Sequence, residues 1–162
     1  MTDDRQAFFE SFDDIESGIQ HLIDENQEFL SWLGTTVENV DRGTMTLAIP
    51  YDEKLTNTRP DVTDRRADLH GGVAATLIDT VGGFALQTAL EDEDPFDVSM
   101  ATINLNINYL RPATGDLEAT ANVVRLGGSV GVSEITVEST TPDGETKAVA
   151  TGQGAYRVFR PE

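Results

Sequence analysis

Residues Leu69-His70-Gly71-Gly72-Val73-Ala74-Ala75-Thr76-Leu77-Ile78-Asp79-Thr80-Val81-Gly82-Gly83-Phe84-Ala85-Leu86 join a polar, glycine-rich turn to an apolar helix that carries one carboxylate, Asp79. Two glycines at a helix start leave backbone N–H groups uncovered. With the positive end of the helix dipole they form a seat for an anion or a polarised carbonyl oxygen. A carboxylate further along the same helix can supply base or nucleophile chemistry. Gly72 and Asp79 are seven positions apart, roughly 10.5 Å of helical rise. Asp79 therefore cannot reach an atom held about 3 Å from the amides of its own helix. If both groups serve one site, two antiparallel copies of this helix must contribute, as in a symmetric dimer.

Outward from this helix the chain alternates. Two short strands, 35–40 and 44–50, are joined by Asp41-Arg42-Gly43, and Pro50 closes the second. After the helix come four longer alternating stretches, 97–110, 116–127, 130–140 and 145–159, separated by turns at Pro112-Ala113-Thr114-Gly115, Gly127-Gly128-Ser129 and Pro142-Asp143-Gly144. In the first of these, period-two alternation places Ile103, Leu105, Ile107 and Tyr109 on one face, and Thr102, Asn104, Asn106 and Asn108 on the other. Asparagine is a poor strand former, so three alternating copies point to a polar interface or a substrate-facing surface. One long helix among antiparallel strands is an α+β layout. Its sheet has edges that pairing between two copies would cover.

Residues 5–30 read as an additional amphipathic helix, with Phe8, Phe12, Ile15, Ile19, Leu22 and Ile23 on one face and acids on the other. An acidic polar face suits packing on the protein body rather than on a membrane surface. The expected division is an N-terminal helix, 1–33, docked on one domain, 34–162.

His70-Gly71-Gly72, Asp79 nine residues after the histidine, and the strand Ala101-Thr102-Ile103-Asn104-Leu105-Asn106-Ile107-Asn108-Tyr109-Leu110-Arg111-Pro112-Ala113 together resemble the hotdog-fold acyl-CoA thioesterases of the phenylacetic-acid-degradation type. The resemblance spans roughly residues 34–158. It implies an antiparallel sheet wrapped around the long central helix, and hydrolysis of acyl-CoA thioesters without metal or other cofactor. It also implies a homodimer or homotetramer with active sites shared between subunits. In such a site the N–H of Gly71 or Gly72 would bind the thioester carbonyl and Asp79 would act as general base or as nucleophile. His70 would position the turn or cap the helix, and Thr102 would help hold the attacking water or the acyl group. Related sequences also carry an asparagine a few residues before His-Gly-Gly. Here Asn57 lies thirteen residues upstream and Asp64 takes the sequential place, so the loop is enlarged and Asn57 is the better candidate to support the oxyanion site. The same loop gathers Arg59, Arg65 and Arg66, a group suited to the phosphates of coenzyme A, although Asp61, Asp64 and Asp68 could equally balance them.

Composition narrows the alternatives. At 162 residues the chain can bury the core of one domain. It has no cysteine, which excludes disulfides and thiolate chemistry, and only two histidines, which makes a structural metal unexpected. No basic leader or membrane-spanning run is present, so a soluble, cytoplasmic protein is expected. A net charge of −18, from 29 acids against 11 bases, disfavours nucleic acid and anionic membranes. With Lys54 and Lys147 as the only lysines, it resembles proteins of salt-accumulating halophiles and predicts salt-dependent folding. Two other classes remain. A non-catalytic acyl-CoA-binding module would keep the groove but would not require Asp79. A hotdog hydratase or dehydratase would need a Gly-Asp…Asn-Pro-x-His-like segment that the sequence lacks.

Overall fold

The computed structural model describes residue 7 and residues 10–57, 66–90 and 97–161. Among the described residues, the helices α1 (Ile15–Asn26) and α2 (Glu28–Leu33) and a 3-10 turn (Glu53–Leu55) precede the long central helix α3 (Gly71–Thr88). Six strands follow the chain as β1 (Thr36–Asp41), β2 (Thr44–Ile49), β3 (Ser99–Tyr109), β4 (Asp116–Leu126), β5 (Val130–Thr140) and β6 (Thr146–Phe159). They form one sheet in the order β1-β2-β4-β5-β6-β3, antiparallel throughout. Each strand lies within two residues of the range that alternation and turn signals assign to it.

Central helix α3 buries Val73, Ala74, Leu77, Ile78, Val81, Gly82, Ala85 and Leu86, a stripe at helical spacing. It meets all six strands, so the sheet wraps it as in a hotdog fold. Facing positions of the sheet, among them Leu47, Ile49, Leu117, Ala119, Ile135 and Val137, complete the core. Two glycines set the depth at which α3 sits: a Cβ at Gly82 or at Gly154 would collide with the Tyr156 hydroxyl. Between them the Tyr156 ring slots in against the helix, and its hydroxyl donates to the carbonyl oxygen of Asp79 at 3.0 Å. Nearby, the buried Ser133 hydroxyl donates to the Gly82 carbonyl at 2.8 Å. Both anchors fix the helix segment that carries Asp79.

The N-terminal segment differs from the single helix expected over 5–30. Asp14 caps α1 by accepting from the Ser17 N–H at 2.8 Å, which sets the start at Ile15. The helix then breaks at Gln27 (φ −124°, ψ 66°), which reorients α2 so that Leu30 and Leu33 enter the core. Gly34, at φ 73°, ends α2 in the left-handed conformation that glycine adopts without strain. Phe8, one of the residues assigned to the apolar stripe, lies outside the described residues. Helix α1 docks on the edge strand β1 through polar side chains. Gln20 donates to the Thr35 carbonyl at 3.1 Å and accepts from the Val37 N–H at 2.8 Å, and Glu16 accepts from the Val40 N–H at 3.1 Å.

The faces of β3 also differ from simple alternation. The pairing of β3 with β6 slips between Thr102 and Asn104, leaving Ile103 as a bulge. Thr102 pairs with the buried Tyr156, so it faces the helix with Leu105 and Ile107, whereas Asn104, Asn106 and Asn108 face away. Thr102 therefore does not share the face of the asparagines, because one extra residue reverses the parity of everything beyond it.

Candidate active site

The bulge brings Thr102 to Asp79. Its hydroxyl donates to Asp79 Oδ1 at 2.6 Å, a charge-assisted bond between β3 and α3. Asp79 Oδ2 has no hydrogen-bond partner among the described residues. Asp79, Thr76, Thr102 and Tyr156 share a cleft of about 380 Å³ with the apolar side chains of Phe29, Leu30, Phe84 and Met100. Burial of Tyr156, and secondarily the charge of Asp79, pushes its hydroxyl well above the ordinary phenol range. Tyr156 thus stays a neutral donor that fixes the backbone beneath the carboxylate.

The glycine turn lies at the other end of the same helix. His70 is the cap of α3, its Nδ1 accepting from the Gly72 N–H at 2.9 Å. That bond occupies one of the two glycine amides, whereas the Gly71 N–H has no partner among the described hydrogen bonds. Tyr109 covers this corner: its hydroxyl donates to the Gly71 carbonyl at 3.1 Å, and its ring would press on a Cβ at Gly71 at 3.2 Å. The turn is held by two distant segments, with the Leu69 N–H donating to the Ala113 carbonyl and the His70 N–H to the Leu55 carbonyl, both at 2.8 Å.

Asn57 is placed beside this turn despite its distance in sequence. Thr56 and Leu69 form an isolated bridge, the Asn57 N–H donates to the Asp68 carbonyl at 2.9 Å, and its side-chain amide reaches the Leu69 carbonyl at 3.5 Å. Arg66 is exposed and stacks over the Tyr51 ring, 3.5 Å from its centroid, while the Tyr51 hydroxyl donates to the Ala67 carbonyl. Arg59, Asp64 and Arg65 lie outside the described residues. The structure therefore groups the candidates in two sets within the chain, Asp79 with Thr102, and Gly71, Gly72 and His70 with Asn57. Roughly two turns of helix separate the sets.

Two participants carry no motif of their own. Tyr156 is signalled in sequence only by the Gly152-Gln153-Gly154-Ala155-Tyr156 pattern, whose glycines leave room for its ring. Tyr109 reads as one more apolar strand position, and its contact with Gly71 emerges only when β3 is laid along the helix. Among the described residues no cluster of three or more His, Cys, Asp or Glu side chains is arranged to hold a metal ion. No described helix is long and apolar enough to cross a membrane.

The family model of the thioesterase superfamily matches residues 67–145, the stretch that holds Asp79, Thr102 and the His70-Gly71-Gly72 turn but not Asn57. A candidate esterase of Halobacterium salinarum is 50% identical over 152 residues, covering 93% of this chain and 96% of its own length. The medium/long-chain acyl-CoA thioesterase YigI of Escherichia coli is 32% identical over 100 residues, 56% of this chain and 62% of that protein. A thioesterase family protein of Silicibacter pomeroyi, known from its crystal structure, shares the fold at a TM-score of 0.74 and 24% identity, over 90% of this chain and 99% of that one. By its sequence relatives and its architecture, the chain belongs to the thioesterase superfamily.

Proposed function

We propose that the protein hydrolyses acyl-CoA thioesters to the free acid and coenzyme A in a cytoplasmic setting, following the catalytic plan of the phenylacetic-acid-degradation type. One observation carries this proposal: an apolar helix presents a single carboxylate to a cleft, one oxygen fixed by Thr102 and the other uncommitted. In the general-base route, Asp79 takes a proton from water as the water oxygen bonds to the thioester carbonyl carbon. The tetrahedral intermediate then expels the sulfur, which leaves with that proton as the free thiol. In the nucleophile route, Asp79 bonds to the carbonyl carbon directly, the thiolate leaves, and water hydrolyses the resulting anhydride.

Negative charge develops on the carbonyl oxygen in either route, and the Gly71 N–H is the donor free to meet it. His70 holds the neighbouring amide and thereby the shape of the turn, with Asn57 supporting it from the adjoining segment. Arg66, already stacked on Tyr51, and Arg65 would meet the phosphates of coenzyme A.

The two sets come together when two copies pair along β3. Thr102 contacts Asp79 near one end of this strand and Tyr109 contacts Gly71 at the other. Two copies of β3 laid antiparallel about a two-fold axis place the Asp79 end of one against the Gly71 end of the other. This pairing supports a homodimer, or a homotetramer built from it, with shared sites. The Escherichia coli relative, a medium/long-chain acyl-CoA thioesterase, supports the substrate class.

Thiol release from a panel of acyl-CoAs in molar potassium chloride tests the proposal. Asp79→Asn is expected to lower kcat by about 10²–10⁴-fold with folding retained. Full activity in that variant would remove Asp79 from the chemistry. Saturable acyl-CoA binding without turnover by the native protein would make it a binding module.

A further inference from the structure

Beside the catalytic cleft lies a second, larger cavity of about 1160 Å³, roofed by α1. Gln27, Phe84, Gln87 and Met100 line both spaces, so the cleft that holds Asp79 adjoins it. Its walls are apolar along Ile15, Ile19 and Leu22 of α1 and, opposite them, Met45, Leu90 and Val98. Polar groups enter the lining elsewhere, at Asp14, Asp41 and Arg42 among others.

The mounting of α1 explains why this space exists. The helix packs chiefly on β1 and α2, and its bonds to this sheet edge run through Gln20 and Glu16. Ile23 reaches the core, but Ile15 is 51% exposed and Ile19 and Leu22 are only partly buried. An amphipathic helix held for stability alone would press its whole apolar stripe into close-packed contact. Here the stripe enters the core at Ile23, with Ile19 partly packed against it, while Ile15 and Leu22 border a space at or above the upper end of ordinary ligand pockets, roughly 300–1,000 Å³.

We propose that this cavity receives the aliphatic tail of the acyl group, and that Leu22 and Ile19 of α1 set the chain length the enzyme accepts. The inference rests on thioester hydrolysis at Asp79. A carbonyl held in the cleft has its CoA portion directed to solvent and its acyl portion directed past Phe84 and Met100 under the N-terminal helix. The preferred substrate is then a straight-chain acyl thioester long enough to extend beyond Met100. Each further methylene buried on that path raises kcat/KM by about fourfold until the cavity is filled.

The test compares butyryl-CoA with dodecanoyl-CoA and follows the ratio of their kcat/KM values, which cancels losses common to both substrates. The native protein should favour dodecanoyl-CoA by about tenfold or more. Leu22→Trp, which fills the cavity, should reduce that preference by about tenfold. Leu22→Ala enlarges the space, should shift the optimum to longer chains, and provides the comparison if the bulkier variant does not fold. A ratio unchanged in the folded variants, or a native preference for butyryl-CoA, would overturn the assignment. If the native protein hydrolyses no acyl-CoA, the proposed reaction fails, and calorimetric titration with dodecanoate judges the cavity separately. Binding weakened about tenfold or more by the Leu22 substitutions would uphold an aliphatic site, and no binding would reject it.

Discussion

The two edges of the sheet are built in opposite ways. At one end β1 has its exposed backbone satisfied by α1, and residues 10–41 around it carry Glu10, Asp13, Asp14, Glu16, Asp24, Glu25, Glu28, Glu38 and Asp41 with no lysine or arginine. At the other end β3, Ser99–Tyr109, contains no charged residue and exposes Ile103 and Tyr109 at 58% and 57%. Unpaired strand edges are ordinarily blunted by charge, by proline or by a covering element. The covered edge has both a helix and a concentration of like charge, so another copy is repelled from it. Along its central strand residues the other edge has neither, and it is the strand whose side chains touch Asp79 and Gly71. That difference supports the proposed pairing along β3 and the proposed place of the substrate tail near β1.

The largest effects should come from breaking the uncharged edge. Ile103→Asp puts a charge at the exposed bulge, where the chain itself tolerates it but a paired copy does not. The expected result is a folded monomer by sedimentation with kcat lowered about 10²–10³-fold, the loss that follows removal of an oxyanion donor. A fully active monomer would show that one copy completes the site alone. Gly71→Pro sharpens the same point. Proline suits the first helical position, the preceding His70 already has φ −63° and ψ 133°, and the substitution removes only the N–H proposed to bind the oxyanion. A small shift of the exposed Tyr109 ring accommodates the new Cβ. Gly71→Pro and Asp79→Asn should each be nearly inactive. Re-associated as a one-to-one mixture, they should recover about a quarter of native activity, since half the dimers are mixed and each mixed dimer has one intact site of two.

A smaller effect tests how the uncharged edge reaches the carboxylate. Thr102→Val keeps the β-branched shape and deletes the hydroxyl that donates to Asp79 Oδ1. Hydrogen bonds to charged groups are worth about 1.5–3 kcal/mol, so kcat should fall about tenfold to a hundredfold while the thermal midpoint hardly moves. Unchanged turnover would leave Thr102 a packing residue. This contact also marks where sequence reading stops. The six strands and α3 were legible because burial imposes periods of two and 3.6 and because glycine and proline punctuate the turns. A bulge at Ile103 carries no such mark, so alternation placed Thr102 with the asparagines. The break at Gln27 is equally unmarked: it answers to the need of Leu30 and Leu33 for the core, a tertiary demand with no local residue to announce it. The placement of Asn57 beside His70 depends on a bridge between Thr56 and Leu69, and the pattern of neither segment alone discloses it.

On the covered edge the expected cost is in stability rather than chemistry. Gln20→Ala leaves the Thr35 carbonyl and the Val37 N–H without their side-chain partner, at a cost of about 1–3 kcal/mol in denaturant unfolding. The association state should not change. If Gln20→Ala instead produced larger assemblies, α1 would be established as the element that keeps β1 from pairing.

The smallest effect concerns the charge that separates the edges. Glu25 is exposed in the last turn of α1, where no basic residue offsets the negative end of the helix dipole and Asp24 and Glu28 lie close in sequence. Glu25→Lys should therefore stabilise the protein by about 0.3–1 kcal/mol at low ionic strength. In molar potassium chloride, where the Debye length is about 3 Å, the same substitution should have no measurable effect. The native protein should itself lose stability on dilution from molar salt, since residues 10–41 carry nine carboxylates against no lysine or arginine, with Arg42 the first base to follow. In molar salt that repulsion is screened, so there α1 must protect the β1 edge by covering it, and the charge adds to that protection only on dilution. Thermal midpoints that coincide in low and molar salt, for both native and Glu25→Lys proteins, would reduce the acidic surface to a matter of solubility and leave α1 alone to account for the protected edge.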